Sequence, residues 1–181
     1  NKPKSAIKEF ERHISMNAWV AERAQSMIYI GDAYGRLGDK EKQVEWWTKA
    51  FTLDSSRREA LMRLARHYMQ NNDPQKVACY TAAAMEIPWN GGFYADFKSH
   101  YEAEPHEYMY WAKGWMGNIP KAQEEILEAL RYQPYHPMYL DHTKYYFGYP
   151  DNKIEGWMRF PELQWLYNTS KHMKSILEVG S

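Results

Sequence analysis

Met27-Ile28-Tyr29-Ile30-Gly31-Asp32-Ala33-Tyr34 and Leu61-Met62-Arg63-Leu64-Ala65-Arg66-His67-Tyr68 are one pattern written twice, 34 residues apart. Met27 answers to Leu61, Ile30 to Leu64, Gly31 to Ala65 and Tyr34 to Tyr68. The same offset carries Asp39 to Asp73, Ala50 to Ala84 and Leu53 to Ile87. An apolar residue, another three positions on, a small one next and an aromatic three later line one side of a helix. The small residue admits a second helix at close range, and the aromatic fills the space beside it. Ala24 to Pro88 is therefore expected to fold as two successive helix pairs.

Toward the N-terminus, Ala6, Phe10 and Ile14 recur at helical spacing, so residues 5–16 read as a lone second helix whose first-helix partner is expected upstream. Helix A of the first full pair is expected from about Ala21 to Leu37, with Gly38 as its stop. Asp39 is placed to accept hydrogen bonds from the free amides of helix B, which runs to about Leu53 and presents Val44, Trp47, Ala50 and Phe51. The second pair is expected at Arg57 to Gln70 and Pro74 to Ile87, where Asp73-Pro74 combines an N-cap with proline at the first helical position.

The period breaks from Trp89 to Glu104, where Trp89-Asn90-Gly91-Gly92 signals a turn and residues 93–97 a short helix. A third pair is expected at Glu107 to Met116 and Asn118 to Tyr132. Trp111, Ala112 and Trp115 take the slots of Ile30, Gly31 and Tyr34, with a turn two residues shorter. Ala122, Ile126, Ala129 and Leu130 face inward on its second helix. His136 to Phe147 is expected to cover the exposed end of the stack, because a repeat buries its apolar face only against neighbours.

Lys plus Arg equals Asp plus Glu at 23 each, so the formal charge is zero. The basic surplus by which nucleic-acid binders release phosphate counterions is missing, and no nucleic-acid partner is expected. No apolar run approaches the roughly 18 residues of a membrane span. Asn1-Lys2-Pro3-Lys4 has neither an initiator Met nor a signal core and reads as a cut inside a longer protein. One cysteine, Cys79, rules out an internal disulfide framework and a cysteine metal site, and a cytoplasmic setting is expected. The 15 Tyr and 8 Trp are assigned to gaps between helices rather than to a stacking surface for sugars or bases.

The 34-residue unit resembles the tetratricopeptide repeat. That resemblance implies an all-α, antiparallel helix-pair array (an α-solenoid) whose A helices build a concave face. Gln43 and Ser55 depart from the family, which has Ala and Pro there. By resemblance the outward positions are Gln25, Ile28, Asp32 and Arg36, then Glu59, Met62, Arg66 and Met69, then Met109, Lys113 and Met116. Within that face, Asp32, Arg36, Met62, Arg66, Met69, Met109, Lys113 and Met116 form the expected groove for a protein or peptide partner. Arg66 and Lys113 would pair carboxylates, and the methionines would give adaptable apolar contact. The alternative is a solvated groove that only spaces two domains.

Ala21-Glu22-Arg23-Ala24-Gln25, Asp54-Ser55-Ser56-Arg57-Arg58-Glu59, Glu86-Ile87-Pro88-Trp89-Asn90 and Pro105-His106-Glu107-Tyr108 resemble helical repeats that follow family 2 glycosyltransferase domains. This resemblance, over about Ala6 to Phe147, implies a sugar-nucleotide-using catalytic domain upstream in a parent protein, and makes flanking catalytic domains of the same chain candidate partners. The aspartate-rich metal motif of such enzymes is not among these residues. Ile176-Leu177-Glu178-Val179-Gly180-Ser181 resembles the first strand and opening glycine of class I S-adenosylmethionine-dependent methyltransferases. By that resemblance Glu178 and Gly180 would belong to a cofactor loop if the domain were complete. The expected organisation is a repeat domain over 1–147, a linker over 148–160 and a truncated methyltransferase-like start over 161–181. A lone strand leaves its backbone groups unpaired, so no cofactor is expected to bind these residues by themselves.

Other chemistry is thin. His136 and His142 lie on different sides of a helix, Pro105-His106-Glu107 reads as a solvated helix start, and Glu124-Glu125 point apart. The expected function is a non-catalytic interaction or scaffold module of a glycosyltransferase-type protein, with no catalytic or metal residues of its own. The alternatives are a substrate-presenting part of a methyltransferase and a free-standing peptide adaptor.

Overall fold

The computed structural model describes residues 2–16, 19–91 and 93–147. Among them are eight α-helices: α1 (Lys2–Ser15), α2 (Val20–Arg36), α3 (Lys40–Leu53), α4 (Glu59–Gln70), α5 (Pro74–Met85), α6 (Ala103–Trp115), α7 (Ile119–Tyr132) and α8 (Pro137–Phe147). A single 3-10 turn, Lys98–Tyr101, precedes α6, and no strand occurs among the described residues. The fold is an all-α helical array in which each helix packs on its neighbours in sequence and α4 also touches α6. The residues expected to form a linker and a methyltransferase-like start, with Glu178 and Gly180, lie outside the described residues.

A turn written three times sets the spacing of the array. Gly38, Asn72 and Gly117 take positive φ angles of 82°, 56° and 76° just past α2, α4 and α6. After each, the amide of Asp39, Asp73 or Asn118 donates back to the carbonyl of Tyr34, Tyr68 or Lys113. That closes the helix with the bond pattern a left-handed residue permits. Each of these residues then caps the next helix, its side chain accepting from the amide of Lys42, Lys76 or Lys121. The two ends of every A–B turn are thus satisfied by local residues.

This turn corrects the register expected for the third pair. Its length is the same as in the first two, so Lys113 stands where Tyr34 and Tyr68 stand, 45 residues beyond Tyr68. Met109 and Tyr110 take the slots of Ile30 and Gly31; Trp111, Ala112 and Trp115 do not. A large residue fits there because the facing helix is smaller. Gly31 lies so close to Trp47 that an added Cβ would sit 2.6 Å from the indole. Tyr110 is fully buried in a cluster with Ala122 and Ile126 instead. The volume has moved from one helix to its partner.

The segment between α5 and α6 also differs from expectation. Residues 93–97 form a turn, with the Asp96 amide donating to the Phe93 carbonyl at 2.9 Å, and the helical piece comes after it. Helix α6 starts at Ala103, ahead of the expected Glu107. Pro105 sits in its first turn, where a missing N–H costs no hydrogen bond.

One apolar cluster runs from Ile28 and Trp47 through Leu61, Met62, Leu64 and Val77 to Tyr108 and Ala112, joining α2 to α6. A second joins α6, α7 and α8 around Tyr110, Ile126 and Tyr139. A third seats α1 on α2 through Ile7 and Ile30, with Phe10 and Ile14 against them.

Candidate functional site: the groove across the A helices

Helices α2, α4 and α6 lie side by side and leave two adjoining open clefts. The first, of about 320 Å³, is lined by Asp32 and Arg36 of α2, Gln43 and Trp47 of α3, and Arg63, Arg66, His67 and Gln70 of α4. The second, of about 390 Å³, is lined by Arg66, Met69 and Gln70 of α4 and by Glu104, Glu107 and Tyr108 of α6. Arg66 and Gln70 belong to both.

In the first cleft Asp32 sits 3.5 Å from Arg63 and accepts from the Trp47 indole at 3.2 Å. Burial raises its pKa above the ordinary aspartate value, although Arg63, Trp47, Arg36 and Arg66 all pull the other way. Three guanidinium groups therefore share one carboxylate. Burial lowers the pKa of His67, and the nearby Lys40 and Lys76 lower it further, in keeping with a positive surrounding.

The second cleft has the opposite lining. Glu104 accepts from the Tyr108 hydroxyl at 2.6 Å and the Ser99 hydroxyl at 3.0 Å, with His100 3.6 Å away. Glu107 accepts from the Tyr139 hydroxyl at 2.9 Å. Burial raises the Glu107 pKa, and the Glu104 charge adds to that.

A buried polar lattice holds the walls of this groove in place. Arg57 donates to Asp96 at 2.6 Å, to Gln25 at 2.8 Å and to the Ala21 carbonyl at 3.2 Å, and its guanidinium lies over the Phe93 ring. Arg58 donates to the carbonyls of Ile87, Met85 and His100 while stacking on Tyr101. Glu59 accepts from the Phe97 amide at 3.2 Å and stands 3.6 Å from both Arg57 and His100. Burial pushes the Glu59 pKa up, but His100, its own amide and Arg57 together hold it below the usual glutamate value. These bonds fasten the segment after α5 to the start of α4 and so fix Ser99 and His100 beside Glu104.

Of the eleven expected outward positions, Asp32 and Arg36 line the first cleft, Met69 the second and Arg66 both. Five others face inward. Met62 is 1% exposed and Met109 6%, both packed in the core, and Ile28 joins them. Gln25 and Glu59 are buried in the Arg57 lattice. Lys113 and Met116 fall at the end of α6, next to the turn, because the register of that helix is two residues from the one expected.

Sequence reasoning missed Arg63, His67, Gln70, Glu104, Glu107 and Tyr108. The turn signature would have found two of them. Aligned on Gly38-Asp39 and Gly117-Asn118, Glu104 and Glu107 occupy the positions of Gln25 and Ile28, and Trp111 and Trp115 those of Asp32 and Arg36.

No protein-family model matches the chain, and no curated protein matches it. Among the described residues no three metal-ligating side chains converge, and no helix is long and apolar enough to cross a membrane.

Proposed function

We propose that the chain is a non-catalytic helical-repeat interaction module whose A-helix face holds an extended segment of a protein partner, with acidic side chains of that segment seated in the cleft between α2 and α4. The observation that carries this is the convergence of Arg36, Arg63 and Arg66 on one open cleft whose acidic lining, among the described residues, is Asp32, in a chain of zero net charge. A guanidinium meets a carboxylate through two parallel hydrogen bonds, so a group of them favours carboxylates geometrically as well as electrostatically. Each exposed pair contributes only about 0.2–1 kcal/mol, so useful affinity needs contacts along several helices, as a stack provides. The parent, on the resemblance of residues 6–147 to helical repeats that follow family 2 glycosyltransferase domains, is a glycosyltransferase-type protein. A flanking catalytic domain is then the nearest source of such a segment.

The test is fluorescence anisotropy with labelled peptides of equal length, one glutamate-rich and one neutral. The glutamate-rich peptide is expected to bind the intact chain more tightly, and Arg36→Glu with Arg66→Glu to abolish that preference at unchanged helical circular dichroism. A double variant that keeps its preference for the acidic peptide would refute the groove.

A further inference from the structure

Arg66 stands on the boundary between two clefts of opposite sign. On its α2 side the charged lining is Arg36 and Arg63 with Asp32; on its α6 side it is Glu104 and Glu107. The two α6 carboxylates are oriented by the hydroxyls of Tyr108, Ser99 and Tyr139, which leaves their negative charge largely in place. Two carboxylates lining one open cleft attract a guanidinium or an ammonium group. A uniformly acidic segment laid across all three helices would meet repulsion at Glu104 and Glu107, and like charges placed together are a strong source of discrimination.

We propose that the groove reads a bipolar peptide, with an acidic side chain seated between α2 and α4 and a basic side chain seated between α4 and α6 against Glu104 and Glu107. The proposal rests on the A-helix face being the partner groove. It also sets a spacing. Packed helices lie about 8–10 Å apart, and an extended chain advances about 3.3 Å per residue. The two charged residues of the partner are therefore about three positions apart. Chain direction is left to the measurement, because a groove of side chains has no backbone polarity of its own.

Four labelled ten-residue peptides on a Gly/Ser/Ala background test this by anisotropy against the full chain at low salt. One carries Glu then Lys three positions on, one carries them in reverse, one carries Glu alone and one Lys alone. One bipolar order is expected to bind about two- to fivefold more tightly than the Glu-only peptide, with the Lys-only peptide weakest. Glu107→Gln is expected to remove most of that advantage while leaving Glu-only binding unchanged or stronger. Glu104→Gln serves as an independent second variant, with circular dichroism as the folding control for both. If Glu-only binds as well as both bipolar orders, the bipolar assignment is overturned and the acidic-segment groove stands. If none of the four is preferred over an uncharged peptide, the groove assignment falls with it.

Discussion

Replacing Arg57 by alanine tests the buried lattice at its centre. The side chain is 8% exposed, and its removal takes away the hydrogen bonds to Asp96, Gln25 and the Ala21 carbonyl together with the contact over Phe93. Two carboxylates remain, Asp96 at 7% and Glu59 at 2% side-chain exposure. Removing one partner of a buried ion pair costs about 3–5 kcal/mol, chiefly because the other charge stays buried without compensation. In a domain of this size each kcal/mol corresponds to about 2–4 °C, so a fall in Tm on the order of 10 °C is expected. Urea melts followed by circular dichroism at pH 7 give the free energy directly.

The pH dependence sharpens that test. Burial already raises the Asp96 pKa above 3.8, with Glu59 adding to it and Arg57 opposing. Without Arg57 the raised value climbs further. A carboxyl whose folded pKa is raised contributes stability below its unfolded pKa and loses it as pH rises through the folded one. The deficit of Arg57→Ala is therefore smallest near pH 4 and grows toward neutrality. A loss under about 1 kcal/mol at pH 7, or one that does not change with pH, would refute the account.

Two further outcomes follow from packing and titration. Gly31→Ala gains about 1 kcal/mol in helix propensity but drives a methyl group to within 2.6 Å of Trp47, whose indole donates to the Ile28 carbonyl and to Asp32. Overpacking costs about 1–3 kcal/mol, so a net loss and a shifted Trp fluorescence spectrum are expected; a more stable variant would show that the close approach is not tight. Burial pushes the Tyr101 phenol from 10.0 up to about 12, so its contribution to stability is intact below pH 10 and is lost as pH rises toward 12. Tyr101→Phe is expected to lose stability less steeply over that interval in alkaline melts, and an identical slope would count against the burial of that hydroxyl.

The first two pairs were legible in the sequence because their signal is local. Ile30-Gly31 and Leu64-Ala65 sit on one side of a helix, and Gly38-Asp39 and Asn72-Asp73 punctuate the turns. In the third pair, Trp111-Ala112 imitates the apolar-then-small step and draws the alignment two residues off. The turn Gly117-Asn118 with Lys121 would have given the right register, since it depends on backbone conformation rather than on which side chain is large. In the groove, Asp32, Arg36, Arg66 and Met69 were readable from the helix face alone. Met62 and Met109 were not, because whether an A-helix residue is covered depends on how closely the neighbouring pair approaches. Arg57-Arg58-Glu59 reads in the sequence as the start of the second A helix, with Glu59 on its outward side. Its burial comes from Asp96, His100 and the carbonyls of Met85 and Ile87, all remote in sequence, so no local pattern records it.

Stacked repeats ordinarily touch only their neighbours, which allows one end to come apart while the other persists. The two adjacent arginines at the start of α4 change that property here. Arg57 reaches back to α2 and forward to Asp96, and Arg58 reaches the Met85 carbonyl at the end of α5, the Ile87 carbonyl beyond it and the His100 carbonyl in the turn before α6. Helices α2, α4 and α5 and the 3-10 turn before α6 thus share one set of bonds, and none of them can move apart without disturbing it. The middle of the described array is thereby tied into one block rather than into separable pairs.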